Sequence, residues 1–98
     1  MVVAREVFQL HFGKARDAVA LAREWRDLMT QRGYADVRFL TDYVGEYYTL
    51  VMELTTDDLA SYERELDKVT KDEEWRRLYA RLIPLVRSGR REIFKLID

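Results

Sequence analysis

Hydrophobic and polar residues alternate along Val2–Phe12, which is typical of a strand with one dry face and one mixed face. The dry parity carries Phe8, Leu10 and Phe12, and the mixed parity carries Arg5, Val7, Gln9 and His11. Along Ala15–Arg32 the hydrophobic residues recur every three or four positions instead. That spacing predicts an amphipathic helix, with Gly33 as the residue that ends it in the left-handed conformation.

The segment Val37–Leu54 is predicted to be a β-hairpin. Its two β-rich runs meet at Val44-Gly45-Glu46-Tyr47, where glycine at the first loop position favours a two-residue type II′ turn. The turn would set the register, pairing Asp42 with Thr49, Leu40 with Val51 and Arg38 with Glu53. This register gathers apolar residues on one face and places an opposite-charge pair on the other, which supports it.

The second half of the chain predicts two helical pieces and a final strand. Thr56-Asp57-Asp58 would cap the first piece, and Thr70-Lys-Asp-Glu73 has a capping-box pattern that starts the second after a break near Lys71. Pro84 ends or kinks the second piece. Ser88-Gly89 is predicted to be a turn, followed by a strand over Arg91–Ile97 with Phe94 and Leu96 on one parity and Ile93, Lys95 and Ile97 on the other.

The order β-α-β-β-α-β predicts an α+β fold of the ferredoxin-like type, with a four-stranded antiparallel sheet and both helices on one face. At 98 residues, the whole of 1–98 is expected to form a single domain. The helices are expected to cover the face with Phe8, Leu10, Phe12, Phe39, Leu50, Met52 and Phe94. The open face would hold the apolar residues Val7, Leu40, Val51, Ile93 and Ile97 and the polar residues Gln9, His11, Arg38, Asp42, Tyr47, Thr49 and Lys95.

Nothing left in the chain covers the open face. An antiparallel sheet tolerates one solvated face, but two such faces can also meet in a dimer that encloses a polar-lined barrel. The number of apolar side chains favours the dimer, because contiguous exposed apolar patches usually mark interfaces.

Composition narrows the function classes. A net charge of −1 provides no positive field for nucleic acid, and no stretch is long and apolar enough for a membrane helix. The absence of cysteine excludes disulfides and thiolate chemistry. The first residues lack the apolar core of a signal peptide, so we expect a cytoplasmic protein with no nucleic-acid or membrane partner.

Several motifs are similar to those of one family. They are Arg5-Glu-Val-Phe-Gln-Leu-His-Phe-Gly-Lys14, the Gly45 hairpin followed by Asp57-Asp58-Leu59, and Asp72-Glu-Glu-Trp-Arg-Arg-Leu-Tyr79 with Leu82-Ile-Pro-Leu85 after it. Together they span essentially the whole chain. The chain therefore resembles the NIPSNAP-like branch of the dimeric α+β-barrel superfamily, which also includes antibiotic biosynthesis monooxygenases. The resemblance implies a homodimer whose two sheets form one barrel, and it implies no fixed catalytic signature.

Candidate site residues lie on the predicted open face. His11, the only histidine, could act as an acid or base, with Asp42 or Glu53 to orient it and Tyr47 to donate a hydrogen bond to substrate. Each is also an ordinary polar or packing residue in this setting, and Glu53 with Arg38 most simply forms an ion pair. The surrounding residues that could contact a ligand are Gln9, Arg38, Leu40, Thr49 and Val51.

We expect neither a metal nor another cofactor. One histidine among scattered acids has no metal-ligand spacing, and neither helix carries the histidine with which haem-degrading relatives hold iron. Three functions stay open from the sequence. They are a homodimer that binds a small hydrophobic or aromatic molecule, a cofactor-independent monooxygenase or isomerase of a small organic substrate, and a purely structural or regulatory dimer.

Overall fold

The computed structural model describes residues 1–97. The elements in chain order are β1 (Val2–Leu10), α1 (Ala15–Arg32), β2 (Val37–Thr41), β3 (Thr49–Thr56), α2 (Leu59–Lys71), α3 (Glu73–Leu82), a 3₁₀ turn (Ile83–Leu85) and β4 (Val86–Lys95). The strands form one antiparallel sheet in the order β2-β3-β1-β4. The predicted ferredoxin-like α+β arrangement is confirmed. Within residues 1–97 no helix is long and apolar enough to cross a membrane.

The hairpin register is confirmed, but its turn is not the predicted one. Arg38 pairs with Glu53 and Leu40 with Val51, as expected. The strands stop at Thr41 and Thr49, however, and residues 42–48 form a longer loop. The Asp42 carboxylate accepts a hydrogen bond from the Thr49 backbone N–H at 2.9 Å, so a side chain takes the place of a backbone ladder bond. The prediction of a two-residue type II′ turn was therefore wrong.

The first strand is shorter than predicted. It ends at Leu10, and His11 and Phe12 lie in the connection to α1, where the Lys14 N–H donates to the His11 carbonyl at 3.1 Å. Gly13 has a φ of 85°, which reverses the chain at little steric cost. The placement of Phe12 on the covered face was wrong, because its side chain is 74% exposed and packs on the Tyr48 ring with centroids 4.8 Å apart.

The last strand differs from its prediction in start and in parity. It begins at Val86 and runs through Ser88-Gly89, which was expected to be a turn. Phe94 pairs with Val3 and so lies on the open face, whereas Ile93 and Lys95 lie on the helix side. No turn joins β1 to β4, so local sequence does not set their register, and an irregularity at Gln9/Leu10 shifts it further. Ile97, also assigned to the open face, lies beyond β4.

The core lies between the helices and one face of the sheet, around Trp25. This side chain is 1% exposed and meets Trp75 edge-on at a centroid distance of 5.3 Å. Both tryptophans are core residues. The start of α3 is fixed to the end of α1 by Asp72, which caps α3 and accepts hydrogen bonds from Arg32 at 2.9 Å and Tyr34 at 2.8 Å. These bonds hold the pKa of Asp72 below its usual range, the Tyr34 bond most strongly.

Replacing a core leucine should cost far more stability than replacing a surface one. Leu50 is 2% exposed and Leu59 is 55% exposed. We expect Leu50→Ala to lower the free energy of unfolding by about 2–5 kcal/mol, since it leaves a cavity in the core. Leu59→Ala should stay within about 0.5 kcal/mol of wild type. Urea unfolding of both variants measures the difference, and equal losses would contradict the described core.

Candidate functional site

The open face of the sheet is organised in rows that cross the strands. Pairing of β2 with β3, β3 with β1 and β1 with β4 places Arg38, Glu53, Arg5 and Glu92 side by side. We call these four residues the charge row. Their signs alternate across the whole width of the sheet. Each charge therefore has an opposite charge on the adjacent strand, which is the favourable cross-strand arrangement.

Glu53 is the buried centre of the charge row. Its side chain is 5% exposed, and it accepts hydrogen bonds from Arg5 Nε at 2.6 Å and from Arg38 Nη2. These two guanidinium groups hold the pKa of Glu53 below its ordinary value, Arg38 having the larger effect. Glu53 is therefore ionised and doubly paired at neutral pH, which suits a structural ion pair better than a general base. The sequence predicted Arg38 as its partner but missed Arg5, because only the β1–β3 register reveals that neighbour.

The rows next to the charge row are less charged. Leu40, Val51, Val7 and Arg90 form one of them, and Thr49, Gln9 and Ser88 form the next. The Thr49 hydroxyl donates to Gln9 Oε1 at 3.2 Å. The five residues predicted to contact a ligand, Gln9, Arg38, Leu40, Thr49 and Val51, thus share one surface. Whether they bind a ligand stays a prediction.

The predicted catalytic residues do not converge by hydrogen bonding. His11 lies in the connection after β1, Tyr47 is 73% exposed in the loop 42–48, and Asp42 is engaged with the Thr49 backbone. Over residues 1–97 no hydrogen bond joins the His11 ring to Asp42, Glu53 or Tyr47. The same part of the chain contains no group of three or more histidines or acids placed to hold a metal ion. A catalytic role for His11, Tyr47, Asp42 and Glu53 stays a prediction.

A second surface, on the helix side, was not predicted. A groove of about 440 Å³ lies between β4, β1 and the end of α3. We call it the β4 groove. Its lining includes Glu6, Phe8, Tyr79, Leu82, Ile83 and the segment Val86–Arg91. The groove exists because β4 is the sheet edge farthest from β2, and α1 and α2 pack towards β2 and β3. Finding it from sequence would have required the β1–β4 register.

A polar cluster borders the β4 groove. Glu6 Oε1 accepts hydrogen bonds from the Tyr62 hydroxyl at 3.2 Å and from Arg91 Nε. Burial, with the Glu6 carboxylate as a further cause, raises the pKa of Tyr62 to about 12. Tyr62 therefore remains a neutral hydrogen-bond donor throughout the physiological pH range. Glu6 and Arg91 neutralise each other where β1 and β4 pair.

This architecture defines the class of the protein. A four-stranded antiparallel sheet with helices on one face is shared by a NIPSNAP family protein from Agrobacterium tumefaciens, at 18% identity over 99% of this chain and 93% of that one, with a TM-score of 0.85. It is also shared by a NIPSNAP-like domain protein from Burkholderia xenovorans, at 14% identity over 99% and 85%, with a TM-score of 0.87. A putative antibiotic biosynthesis monooxygenase from Nitrosomonas europaea matches at 7% identity over both full lengths, with a TM-score of 0.79. The chain is thus a ferredoxin-like α+β protein.

The family follows from the sequence. The NIPSNAP family model matches residues 5–98, and the chain belongs to the NIPSNAP family. No curated protein matches it significantly.

The charge row should make stability depend on pH through Glu53. A carboxyl with a lowered folded-state pKa adds stability that is present above its unfolded-state pKa and is lost as pH falls through the folded value. We expect Glu53→Gln to lose about 1–3 kcal/mol of unfolding free energy at pH 7, because two charged hydrogen bonds are weakened. The difference in unfolding free energy between Glu53→Gln and wild type should become steadily smaller as the pH falls below about 5.

Urea unfolding of both proteins at a series of pH values measures this gap. Glu63→Gln, on the exposed surface of α2, is the matched control and should leave stability unchanged at every pH. A gap for Glu53→Gln that stays constant with pH would show that the folded protein does not depend on this ionised carboxylate.

Proposed function

We propose that this NIPSNAP protein, a single domain over residues 1–98, works as a homodimer joined through the open sheet face and binds a small hydrophobic or aromatic molecule. The main support for the dimer is the alternating charge row. Read from β2 to β4, its signs run positive, negative, positive, negative. Such a row is complementary to a reversed copy of itself.

A two-fold axis between two such sheets, parallel to their strands, supplies that reversal. It places β2 of one copy over β4 of the other and β3 over β1. Because the axis is parallel to the strands, each row keeps its position along the strand direction and faces the same row of the other copy. Arg38 then faces the partner's Glu92, and Glu53 faces the partner's Arg5. An axis perpendicular to the strands in the same plane would place like charges together when the rows meet. Charge complementarity of this kind sets orientation and excludes wrong arrangements.

The apolar residues of the open face support the same partner. Leu40 is 42% exposed and Phe94 is 45% exposed, although both lie in strands. The Arg5 guanidinium carbon lies 5.3 Å from the centre of the Phe94 ring, so this surface mixes long cationic and aromatic side chains. Stacked sheets are about 10 Å apart, a gap that arginine and glutamate side chains from opposite sheets can bridge together. A second copy therefore covers the apolar residues and pairs the charges at once.

The enzymatic alternative has less support. A cofactor-independent monooxygenase or isomerase would need His11, Tyr47, Asp42 and Glu53 around one substrate. Glu53 is instead enclosed by two arginines, and Asp42 is bonded to the backbone of Thr49. A purely structural or regulatory dimer differs from our proposal only in binding no small molecule. Native mass spectrometry of protein purified from its own host therefore separates the two, because it reports the oligomer size and any retained ligand together.

Reversing charges at the two ends of the charge row should control dimerisation. In Glu92→Arg the new positive charge faces Arg38 of the other copy. The two-fold axis generates this repulsive contact twice in each dimer. We expect the dimer dissociation constant to rise about tenfold, since each exposed pair contributes about 0.5–1 kcal/mol. Arg38→Glu should weaken self-association similarly. An equimolar mixture of the two variants should restore dimers, because every pair then has opposite signs.

Analytical ultracentrifugation of wild type, each variant and the mixture provides the measurement, with thermal unfolding to show that each variant folds. Glu63→Arg makes the same charge change on the exposed side of α2 and should dimerise like wild type. A wild-type chain that stays monomeric at micromolar concentration would refute the dimer. Glu92→Arg dimers as tight as wild type would refute the role of the charge row.

A further inference from the structure

The floor of the β4 groove depends on a missing side chain. Gly89 lies within β4 directly opposite Phe8, and its φ is outside the left-handed region that favours glycine. A Cβ atom there would lie 3.3 Å from Phe8 Cδ1 and 3.3 Å from the Val7 carbonyl oxygen. Glycine inside a strand otherwise costs stability, and it often marks a place where another group approaches closely. Here it provides space, and the Phe8 ring lies against it as an apolar floor.

One wall of the groove presents hydrogen-bond donors. Arg91 donates to Glu6 through Nε only, and its two terminal nitrogens have no hydrogen-bond partner in the part of the chain that the structure describes. The Arg91 side chain is 51% exposed. Tyr79 is held in place by its ring, which stacks on Trp75 at a centroid distance of 5.6 Å and an angle of 8°. The groove thus combines a fixed phenol with a guanidinium group that is anchored at one nitrogen and free at two.

The charge of the lining favours an anion. Three arginines, Arg87, Arg90 and Arg91, and one acid, Glu6, line the groove. Glu6 pairs with Arg91, while Arg87 and Arg90 pair with acids outside the lining at 3.7 Å and 3.3 Å. An excess of arginine next to an apolar floor suits an anion with an apolar body. A planar guanidinium group binds a carboxylate through two parallel hydrogen bonds, which gives it both energy and orientation.

We propose that the β4 groove is the binding site for a small organic carboxylate with an aromatic or aliphatic body. The carboxylate accepts hydrogen bonds from the terminal nitrogens of Arg91 and from the Tyr79 hydroxyl, and the body packs on Phe8, Leu82 and Ile83. A volume of about 440 Å³ lies in the range of small-molecule sites. The inference rests on the proposed binding of a small hydrophobic or aromatic molecule, and it names the site and the class of that molecule. Phe8 and Arg91 lie on the helix side of the sheet, so pairing of the open faces leaves this part of the groove accessible.

Matched acids and amides test the inference. Amide NMR spectra of the full chain are followed during titration with benzoate, phenylacetate and octanoate, and with the corresponding neutral amides. We expect each acid to bind about tenfold more tightly than its amide, since only the acid forms charge-assisted hydrogen bonds. The shifts should centre on Gly89 and Arg91. Arg91→Gln should remove the preference for the acid, and Gly89→Ala should weaken both kinds of probe because the Phe8 ring is displaced into the groove.

Arg77→Gln is the matched control, since Arg77 lies on the exposed side of α3 and pairs with Glu73 at 2.9 Å. It should keep the wild-type preference for the acid. Equal affinity of acids and amides at the groove would overturn the carboxylate class while leaving small-molecule binding in place. Shifts confined to the open face would overturn the assignment of the site. No shift with any probe would overturn both this inference and the proposed small-molecule binding, whereas the dimer is tested separately by its mass.

Discussion

Glu53 is a carboxylate held in the middle of an uncovered sheet face by two arginines, and the arrangement of that face depends on it. A buried carboxylate needs full pairing, because an unpaired buried charge costs several kcal/mol. Arg38 from β2 and Arg5 from β1 provide that pairing from both sides. A register shift of either strand would remove one partner and would turn the hydrophobic residues of that strand away from the core. The ion pairs and the core therefore select the same register.

The same interaction links the fold to its proposed partner. Arg5 and Arg38 compensate Glu53 within the chain, and Glu92 extends the alternation to the edge of the sheet. An arrangement that stabilises one sheet is thereby self-complementary under one orientation of a two-fold axis. In the proposed dimer the two faces of the sheet have separate roles. We propose that the open face recognises a second copy, whereas the helix side carries the β4 groove, where Gly89 and Arg91 provide space and charge.

Much of the fold could be predicted from the sequence because its signals are local. The change from period two to period three or four located β1 and α1, and the β2–β3 pairing of Arg38 with Glu53 followed from a short connection. Two failures were local, namely the two-residue turn of the hairpin and the end of β1. The others share one cause, which is contact between residues distant in the chain. No short turn joins β4 to β1. The sheet face on which Phe94 lies and the position of Gly89 within a strand could therefore not be predicted from the local sequence. Arg5 was missed as a partner of Glu53 for the same reason, and the β4 groove with it.

The orientation of the two-fold axis is tested most directly by crosslinking. The chain has no cysteine, so Leu40→Cys and Arg90→Cys each introduce a single thiol, on opposite edges of one row of the open face. We expect a short bis-maleimide to join the two variants when they are co-expressed with tags of different size, because β2 of one copy then faces β4 of the other. We expect little crosslinking within either variant alone. Efficient crosslinking of Leu40→Cys to itself, with none between the two variants, would contradict this orientation of the axis.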